Sequence, residues 1–224
     1  MSEPLSPATG MAVLHLFCHP AFDFDAEAVV AAVKHAQTTG VQVISVSMLG
    51  HKCDLAFMAV ASDLRELRKF QSALQQAGVI VADSYVSLTE VSEYSSHVPP
   101  EMLNARLYPQ LPPPDKLAWC FYPMSKRRDP ENNWFTLPFD KRNEMMMEHG
   151  KTGRTFAGRV TQLVTGSAGL DDYEWGVTLF AVHPDDLKEV VYTMRFDEAS
   201  AKYADFGTFY VGMVTPIEEL VLSL

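Results

Sequence analysis

The sequence predicts an α+β fold: tandem ferredoxin-like βαββαβ repeats forming a dimeric α+β barrel within one chain. Three observations predict it. Apolar runs of period two and period 3.6 follow one another in the order β-α-β-β-α-β through residues 11–88. The same order recurs through residues 117–214. Between them lies a proline-rich stretch with Pro99, Pro100, Pro109, Pro112, Pro113 and Pro114. The expected divisions are an amino-terminal unit over 1–98, a connection over 99–116 and a carboxyl-terminal unit over 117–224. Helices cover one face of each antiparallel sheet, and stacking the sheets buries the other. The alternative is two independent bodies on a linker.

In the first unit, Met11 to Cys18 reads as a strand and Asp25 to Gln37 as a helix closed by Gly40. Strands follow at Val41 to Met48 and Leu55 to Ala61. A helix from Ser62 to Gln76 carries Leu64, Leu67 and Leu74 on one side, and Val79 to Leu88 is the closing strand. The second unit opens with a strand at Leu117 to Tyr122. Its first helix, Leu137 to His149, has Pro138 at its start, where a missing N–H costs little, and Gly150 just past its end. Strands at Gly158 to Thr165 and Tyr173 to Val182 are joined by a turn containing Ser167, Gly169, Asp171 and Asp172. A helical stretch from Pro184 to Tyr203, with Leu187, Val190, Val191 and Met194 in one stripe, precedes the last strand, Gly207 to Val214.

A composition of 47% hydrophobic and 21% charged residues over 224 positions is that of a soluble globular protein rather than a disordered one. No apolar run approaches the roughly 20 residues of a membrane span. Met1 to Gly10 lacks the basic and apolar regions of a leader, so a cytoplasmic protein is expected. Cys18, Cys53 and Cys120 have no metal-ligand spacing and read as small buried hydrophobes. A net charge of -10 argues against general nucleic-acid binding, which rests on neutralising phosphates. Walker A, dinucleotide-glycine, His-Glu-x-x-His, Cys-x-x-Cys and Gly-x-Ser-x-Gly motifs are missing. Gly166-Ser167-Ala168-Gly169 joins two strands and is a turn, not a phosphate cradle.

The residues that could carry chemistry lie in the second unit. His149 ends a helix rich in methionine (Met145, Met146, Met147), Gln162 sits inside a strand, and Tyr122-Pro123-Met124-Ser125-Lys126 closes an apolar run. Together they offer a soft-lined pocket with one nitrogen ligand, a redox-capable phenol and a cationic rim. Those are the needs of an iron porphyrin carrying carboxylates. Each residue also has a plainer reading. A histidine at a helix carboxyl end is favoured by the dipole without any ligand. Alternation puts Gln162 with Val160 and Val164 on the more apolar face, where a buried amide bonds to backbone or points at a ligand, or else costs about 1–3 kcal/mol. A strand-end tyrosine can be an amphipathic core residue. Lys126-Arg127-Arg128 is either a solvated run or a receiver of carboxylates, and Arg106 is a further cation of that kind. His35, similarly placed in the first unit, has only Phe17-Cys18-His19-Pro20 on the preceding strand, with no tyrosine and no basic run.

Longer motifs carry a resemblance. Phe121-Tyr122-Pro123-Met124-Ser125-Lys126-Arg127-Arg128, Asn133-Trp134-Phe135-Thr136-Leu137-Pro138 and Met146-Met147-Glu148-His149-Gly150 resemble the coproheme decarboxylases. So do Asp171-Asp172-Tyr173-Glu174-Trp175-Gly176-Val177-Thr178-Leu179-Phe180 and Met194-Arg195-Phe196-Asp197-Glu198-Ala199-Ser200-Ala201. These enzymes belong to the chlorite dismutase-like superfamily, and the sequence is similar to their Firmicutes-type branch. The motifs span roughly Arg106 to Gly212, while the amino-terminal half agrees in layout.

The resemblance implies peroxide-dependent oxidative decarboxylation of iron coproporphyrin III (coproheme), in which two propionates become vinyls and haem b is formed in haem biosynthesis. The substrate serves as its own cofactor and hydrogen peroxide is co-substrate. Tyr122 matches the catalytic tyrosine, His149 the proximal iron ligand and Gln162 the distal glutamine, a position where chlorite dismutases keep arginine. Pro123, Met124, Ser125 and Lys126 match pocket residues. Ser200 matches a hydroxyl that meets a propionate, and Arg106 a propionate-binding arginine. Phe135 departs from the pattern, standing where many relatives have tyrosine. The resemblance further implies a ring-shaped homopentamer and transient contact with coproporphyrin ferrochelatase. A chlorite dismutase-type haem enzyme, a non-catalytic haem or coproheme carrier and a metal-free oligomeric scaffold are the competing readings.

Overall fold

Strand β1 (Ala12–Pro20) sets the architecture. Val13, His15 and Phe17 alternate with Ala12, Leu14, Leu16 and Cys18, and all of them are buried. A strand buried on both sides must lie between two layers. The computed structural model describes residues 3–95 and 98–224. Met1 and Ser2, part of the amino-terminal stretch read above, lie outside it.

The first unit continues as α1 (Ala26–Thr38), β2 (Gln42–Met48), β3 (Leu55–Ala61), α2 (Leu64–Gln76) and β4 (Val79–Thr89), in the expected order. Asp25 and Asp63 cap the two helices, accepting hydrogen bonds from Ala28 N and Arg65 N. The connection, expected to be irregular, holds α3 (Pro100–Leu107), with proline at its first position. The second unit comprises β5 (Ala118–Lys126), α4 (Phe139–Arg154), β6 (Val160–Gly166), β7 (Trp175–Ala181), α5 (Pro184–Met194), α6 (Glu198–Ala201), β8 (Ala204–Phe206) and β9 (Tyr210–Val214). A final helix, α7 (Ile217–Val221), follows.

The strand order is β7-β6-β4-β1-β3-β2-β9-β5-β8, and β7 also pairs with β5. That last pairing closes the sheet into a barrel and leaves β8 as an appendage of β5. The halves are therefore joined edge to edge through β4–β6 and β2–β9 rather than hung on a linker. Closure removes exposed sheet edges. Phe17, Ile44, Met58, Trp119, Phe121, Phe180 and Tyr210 fill the inside. His15 is buried with them, 3.0 Å from Thr178 Oγ1 through Nε2, and burial pulls its pKa down to about 3, so it stays neutral. Outside, α1, α2 and α7 cover the amino-terminal strands through Val29, Val33, Leu67, Phe70, Leu74 and Leu220. Leu187 and Val190 of α5 cover Cys120, Val177 and Leu179. The three cysteines are free and buried, as expected, and burial pushes their thiols up.

Several expected boundaries move for physical reasons. α4 does not stop at Gly150 but runs to Arg154, so His149 lies inside the helix and the helix-end reading does not apply to it. A glycine inside a helix costs about 1 kcal/mol relative to alanine. The helix nevertheless continues where α4 packs against α5 and α6. The single helix expected over Pro184 to Tyr203 is broken, because Asp197 takes an extended conformation and caps α6 by accepting from Ser200 N. The expected last strand, Gly207 to Val214, begins only at Tyr210 as β9, and the short strand β8 before it was not expected. The carboxyl tail returns to the first unit, where Ile217 and Leu220 are buried beside α1 and Glu218 meets Lys34 at 2.7 Å.

Candidate functional site

Strand register defines the floor of the site. On the outer face of the second unit, Gln162 is level with Leu179 and Cys120, Val164 with Val177 and Tyr122, and Gly166 with Trp175 and Met124. Gln162 is exposed and Val164 is 40% exposed. This corrects the expectation of a buried amide. The barrel interior takes the opposite set, Leu163 and Thr165, and the face that looked apolar is the outer one.

Above this face lies a helical layer. α4 packs against α5 and α6 rather than onto the strands, and Phe156, just beyond its end, joins the cluster of Tyr122, Val177 and Leu187. Met145 of α4 is buried with Trp134 and Ala199, while Met147 remains 39% exposed. His149 Nδ1 lies 3.0 Å from Asp197 Oδ2, and the Ser200 hydroxyl, 3.2 Å from the same oxygen, is 3.5 Å from Nδ1. Burial acts to raise the Asp197 carboxyl, but hydrogen bonds and charge from His149 and hydrogen bonds from Ser200 outweigh it and hold the group below the usual carboxylate range. A carboxylate at Nδ1 fixes the proton there and leaves the Nε2 lone pair available to a metal. Among the described residues no cluster of three or more His, Cys, Asp or Glu could hold a bare ion. A lone imidazole suits a metal whose remaining ligands come from a macrocycle.

Tyr122 is 7% exposed. Its ring stacks on Phe209 at 4.4 Å and meets the edge of Phe206 at 5.7 Å. Burial, with a smaller contribution from Cys120, pushes its phenol well above the ordinary value, so it keeps its proton at neutral pH. A cavity of about 400 Å³ lies between α5 and strands β5 and β9, lined by Cys120, Leu187, Val191 and Phe209 among others. His149, Gln162 and Tyr122 are not among its lining residues, so it is not the site itself.

Each basic residue of the expected cationic rim has a partner within the chain. Lys126 is 9% exposed, donates to Ala199 O at 2.7 Å and rests 4.3 Å over the Trp134 ring. Burial pulls its pKa down to about 8 against the opposing charges of Asp197 and Glu174. Arg127 pairs with Asp205 at 2.8 Å, and Arg128 pairs with Glu174 and lies over Phe135. The two arginines are thus paired with acids from other segments. Ser125 Oγ accepts from Glu174 N at 3.2 Å, and Pro123 is buried in β5. Ser200 is committed to Asp197. Arg106 is exposed on α3, with Nη1 3.2 Å from Ser95 Oγ.

Sequence reasoning did not single out Asp197, Phe206 or Phe209. The first had a signal: Asp197 followed by Ser200 within Asp197-Glu198-Ala199-Ser200 is a helix-start pattern inside a supposed helix.

Comparison with known proteins decides the family. The chlorite dismutase family model matches residues 24–215. The chain belongs to the chlorite dismutase family. A coproheme decarboxylase of Staphylococcus carnosus is 44% identical over 184 residues, covering 78% of this chain and 73% of that one. A candidate heme-binding protein of Natronomonas pharaonis is also 44% identical, over 190 residues and 78% of this chain. This chain spans only 31% of that protein's length. Among solved structures, a heme-binding protein from Thermus thermophilus superposes with a TM-score of 0.85 at 33% identity, over 100% of this chain and 98% of that one. A chlorite dismutase mutant from Candidatus Nitrospira defluvii matches with a TM-score of 0.77 at 19% identity, over 97% and 96% of the chains, which speaks for the fold alone.

Proposed function

We propose that this member of the chlorite dismutase family is a coproheme decarboxylase, which removes two propionate carboxyls from iron coproporphyrin III to give haem b. The observation that carries the reading is the His149–Asp197 pair, its Nε2 without a partner among the described residues, in the helical layer over the sheet face that bears Tyr122, Val164 and Gln162. The decarboxylase of S. carnosus, 44% identical, supports it.

The macrocycle enters as substrate. His149 would hold its iron from one side, exposed Gln162 would offer an amide on the other, and Val164 and Met147 would give apolar cover. Once bound, the iron would relay the two oxidising equivalents of hydrogen peroxide to the site. Tyr122, oxidised by loss of one electron and its phenolic proton, takes a hydrogen atom from the β-carbon of a propionate and becomes a phenol again. The resulting carbon radical gives up a second electron as the bond to the carboxylate breaks, leaving a vinyl and carbon dioxide. Each propionate consumes one peroxide and one proton and yields two waters. Lys126 and Ser200, on the His149 side, brace the proximal unit through Ala199 and Asp197, and Lys126 can exchange a proton close to neutral pH. Arg106 is the cation we assign to a propionate, with Pro123, Met124 and Ser125 lining the substrate's edge.

The competing chlorite reaction would call for a cationic distal donor, and Gln162 is neutral. We take the protein to work as a cytoplasmic homo-oligomer, a pentamer by resemblance, receiving coproheme through transient contact with its ferrochelatase. Leu49, Leu117, Val211 and Met213, 40–60% exposed around β9, support an assembly surface. No helix among the described residues is long and apolar enough to cross a membrane. Mass spectrometry after peroxide addition tests the reaction: loss of two carbon dioxide units is expected, and an unchanged mass with coproheme bound would leave only a carrier.

A further inference from the structure

The hydroxyl of Tyr122 has no hydrogen-bond partner among the described residues, so no polar contact there fixes the ring. Its orientation rests on Phe206 and Phe209, which bracket it edge-on and face-on. Phe206 ends β8, and Phe209 lies in the strap of residues 207–209 that joins β8 to β9. Gly207 in that strap donates to Pro123 O at 2.8 Å, directly beside Tyr122. A Cβ at Gly207 would come within 2.7 Å of both Pro123 Cγ and Tyr173 Cζ, so the close approach requires glycine.

The strap is held from the other half of the molecule. Tyr210, next to Phe209, points the opposite way, into the barrel. Its ring stacks on Phe17 of β1 at 3.7 Å, and its hydroxyl donates to Asp83 of β4. The Lys52 ammonium, from the loop between β2 and β3, donates to Phe209 O, and Leu49 N donates to Val211 O at 3.0 Å. Tyr210 is 7% exposed and cannot swing out without opening the barrel end. One residue faces the phenol, and its neighbour is bolted to the amino-terminal strands.

We propose that Tyr210, held by Asp83 and Phe17, is a positioning residue for Tyr122, so that the amino-terminal half aims the phenol through the Phe206–Phe209 strap. This rests on the decarboxylase reading only for its consequence in turnover. Abstraction from one carbon needs the phenolic oxygen in a narrow range of directions, and a displacement of about 1 Å can cost on the order of 100-fold in rate.

The test uses the full-length protein carrying 3-fluorotyrosine at position 122, with the variants Asp83→Ala, Asp83→Asn, Tyr210→Phe and Phe209→Leu. In the porphyrin-free parent, 19F NMR should show a ring in slow exchange. Asp83→Ala, Tyr210→Phe and Phe209→Leu should broaden or merge its lines, while Asp83→Asn, which keeps an acceptor oxygen, should preserve them. With coproheme and peroxide, the first group should lose about tenfold or more in turnover while binding changes by less than about twofold, and Asp83→Asn should be rescued. Unchanged 19F lines in Asp83→Ala and Phe209→Leu would overturn the proposal, as would a freed ring at parental turnover. A parent that binds coproheme without releasing carbon dioxide would overturn the decarboxylase reading instead, and the spectra of the porphyrin-free protein judge the clamp by themselves.

Discussion

Replacing Asp197 by asparagine probes the link between the protein's own hydrogen bonding and its hold on iron. Asp197 Oδ1 accepts from Ser200 N at 2.9 Å, while Oδ2 faces His149 Nδ1 at 3.0 Å and the Ser200 hydroxyl at 3.2 Å. Asparagine has one acceptor oxygen and one amide nitrogen. If the oxygen stays on Ser200 N, the amide donates to His149 Nδ1 and drives the ring proton to Nε2, where it blocks the metal. If the amide turns over, it sets a donor against Ser200 N. Either arrangement costs about 1–3 kcal/mol when the ring is forced to present Nε2, and loss of a partner behind a metal-bound histidine typically weakens metal affinity by about 10- to 100-fold. Titration of the porphyrin-free protein with ferric coproporphyrin III, followed by its Soret band, should therefore show Asp197→Asn weaker by about that factor, with an altered iron–imidazole stretch. An affinity within about twofold of the parent and an unshifted stretch would refute both the ligand assignment and the role of Asp197. The same group has a signature in stability. Its folded pKa is held below the ordinary 3.8, so its contribution is present above that value and is lost as pH falls through the folded one. Urea midpoints below pH 3.8 should fall less steeply in Asp197→Asn than in the parent.

Further outcomes follow from the same contacts. Tyr122→Phe should keep coproheme binding and lose decarboxylation, which a mass spectrum of the peroxide-treated complex would show; full turnover would remove its catalytic role. Gln162→Ala should leave thermal stability within about 0.5 kcal/mol, because the side chain is exposed, while shifting the spectrum of bound coproheme; a large loss of stability would place the amide in the core after all. The Lys126 amine, lowered to about 8 by burial, is neutral in the fold while still charged in the unfolded chain between that pH and its ordinary 10.5. Its contribution to stability should therefore rise with pH across this window, a slope that Lys126→Met should lack in chemical denaturation. Gly212→Ala would put a Cβ 2.3 Å from Ser47 O and 2.7 Å from Val46 Cγ1, so β9 must pull away from β2. A loss of about 1–3 kcal/mol is expected, and a parental melting temperature would contradict the barrel closure described here.

The sheet and helix order was legible because periodicity is local. Leu55 to Ala61 reads as a strand from its own residues, and Asp25 and Asp63 announce helices within a few positions. Helix ends were less legible. Gly150 carries a stop signal that packing against α5 overrides, and although the cap that breaks the helix at Asp197 is local, its bond to His149 joins residues 48 positions apart. The basic run shows the same limit: nothing near Arg127 and Arg128 in sequence says that Asp205 and Glu174 will neutralise them.

What the residues determined unaided was the repeated βαββαβ order, the family-bearing motifs and the types of group on offer: an imidazole, an amide and a phenol. Only the tertiary structure decided which apolar face of β6 looks into the barrel, so that Gln162 stands outside it, and which carboxylate orients His149. It alone carried the amino-terminal strands to the strap beside Tyr122. The reason is physical. Alternation along a strand records that two faces differ, but strand pairing across the closed sheet determines which face meets a core and which charges meet each other.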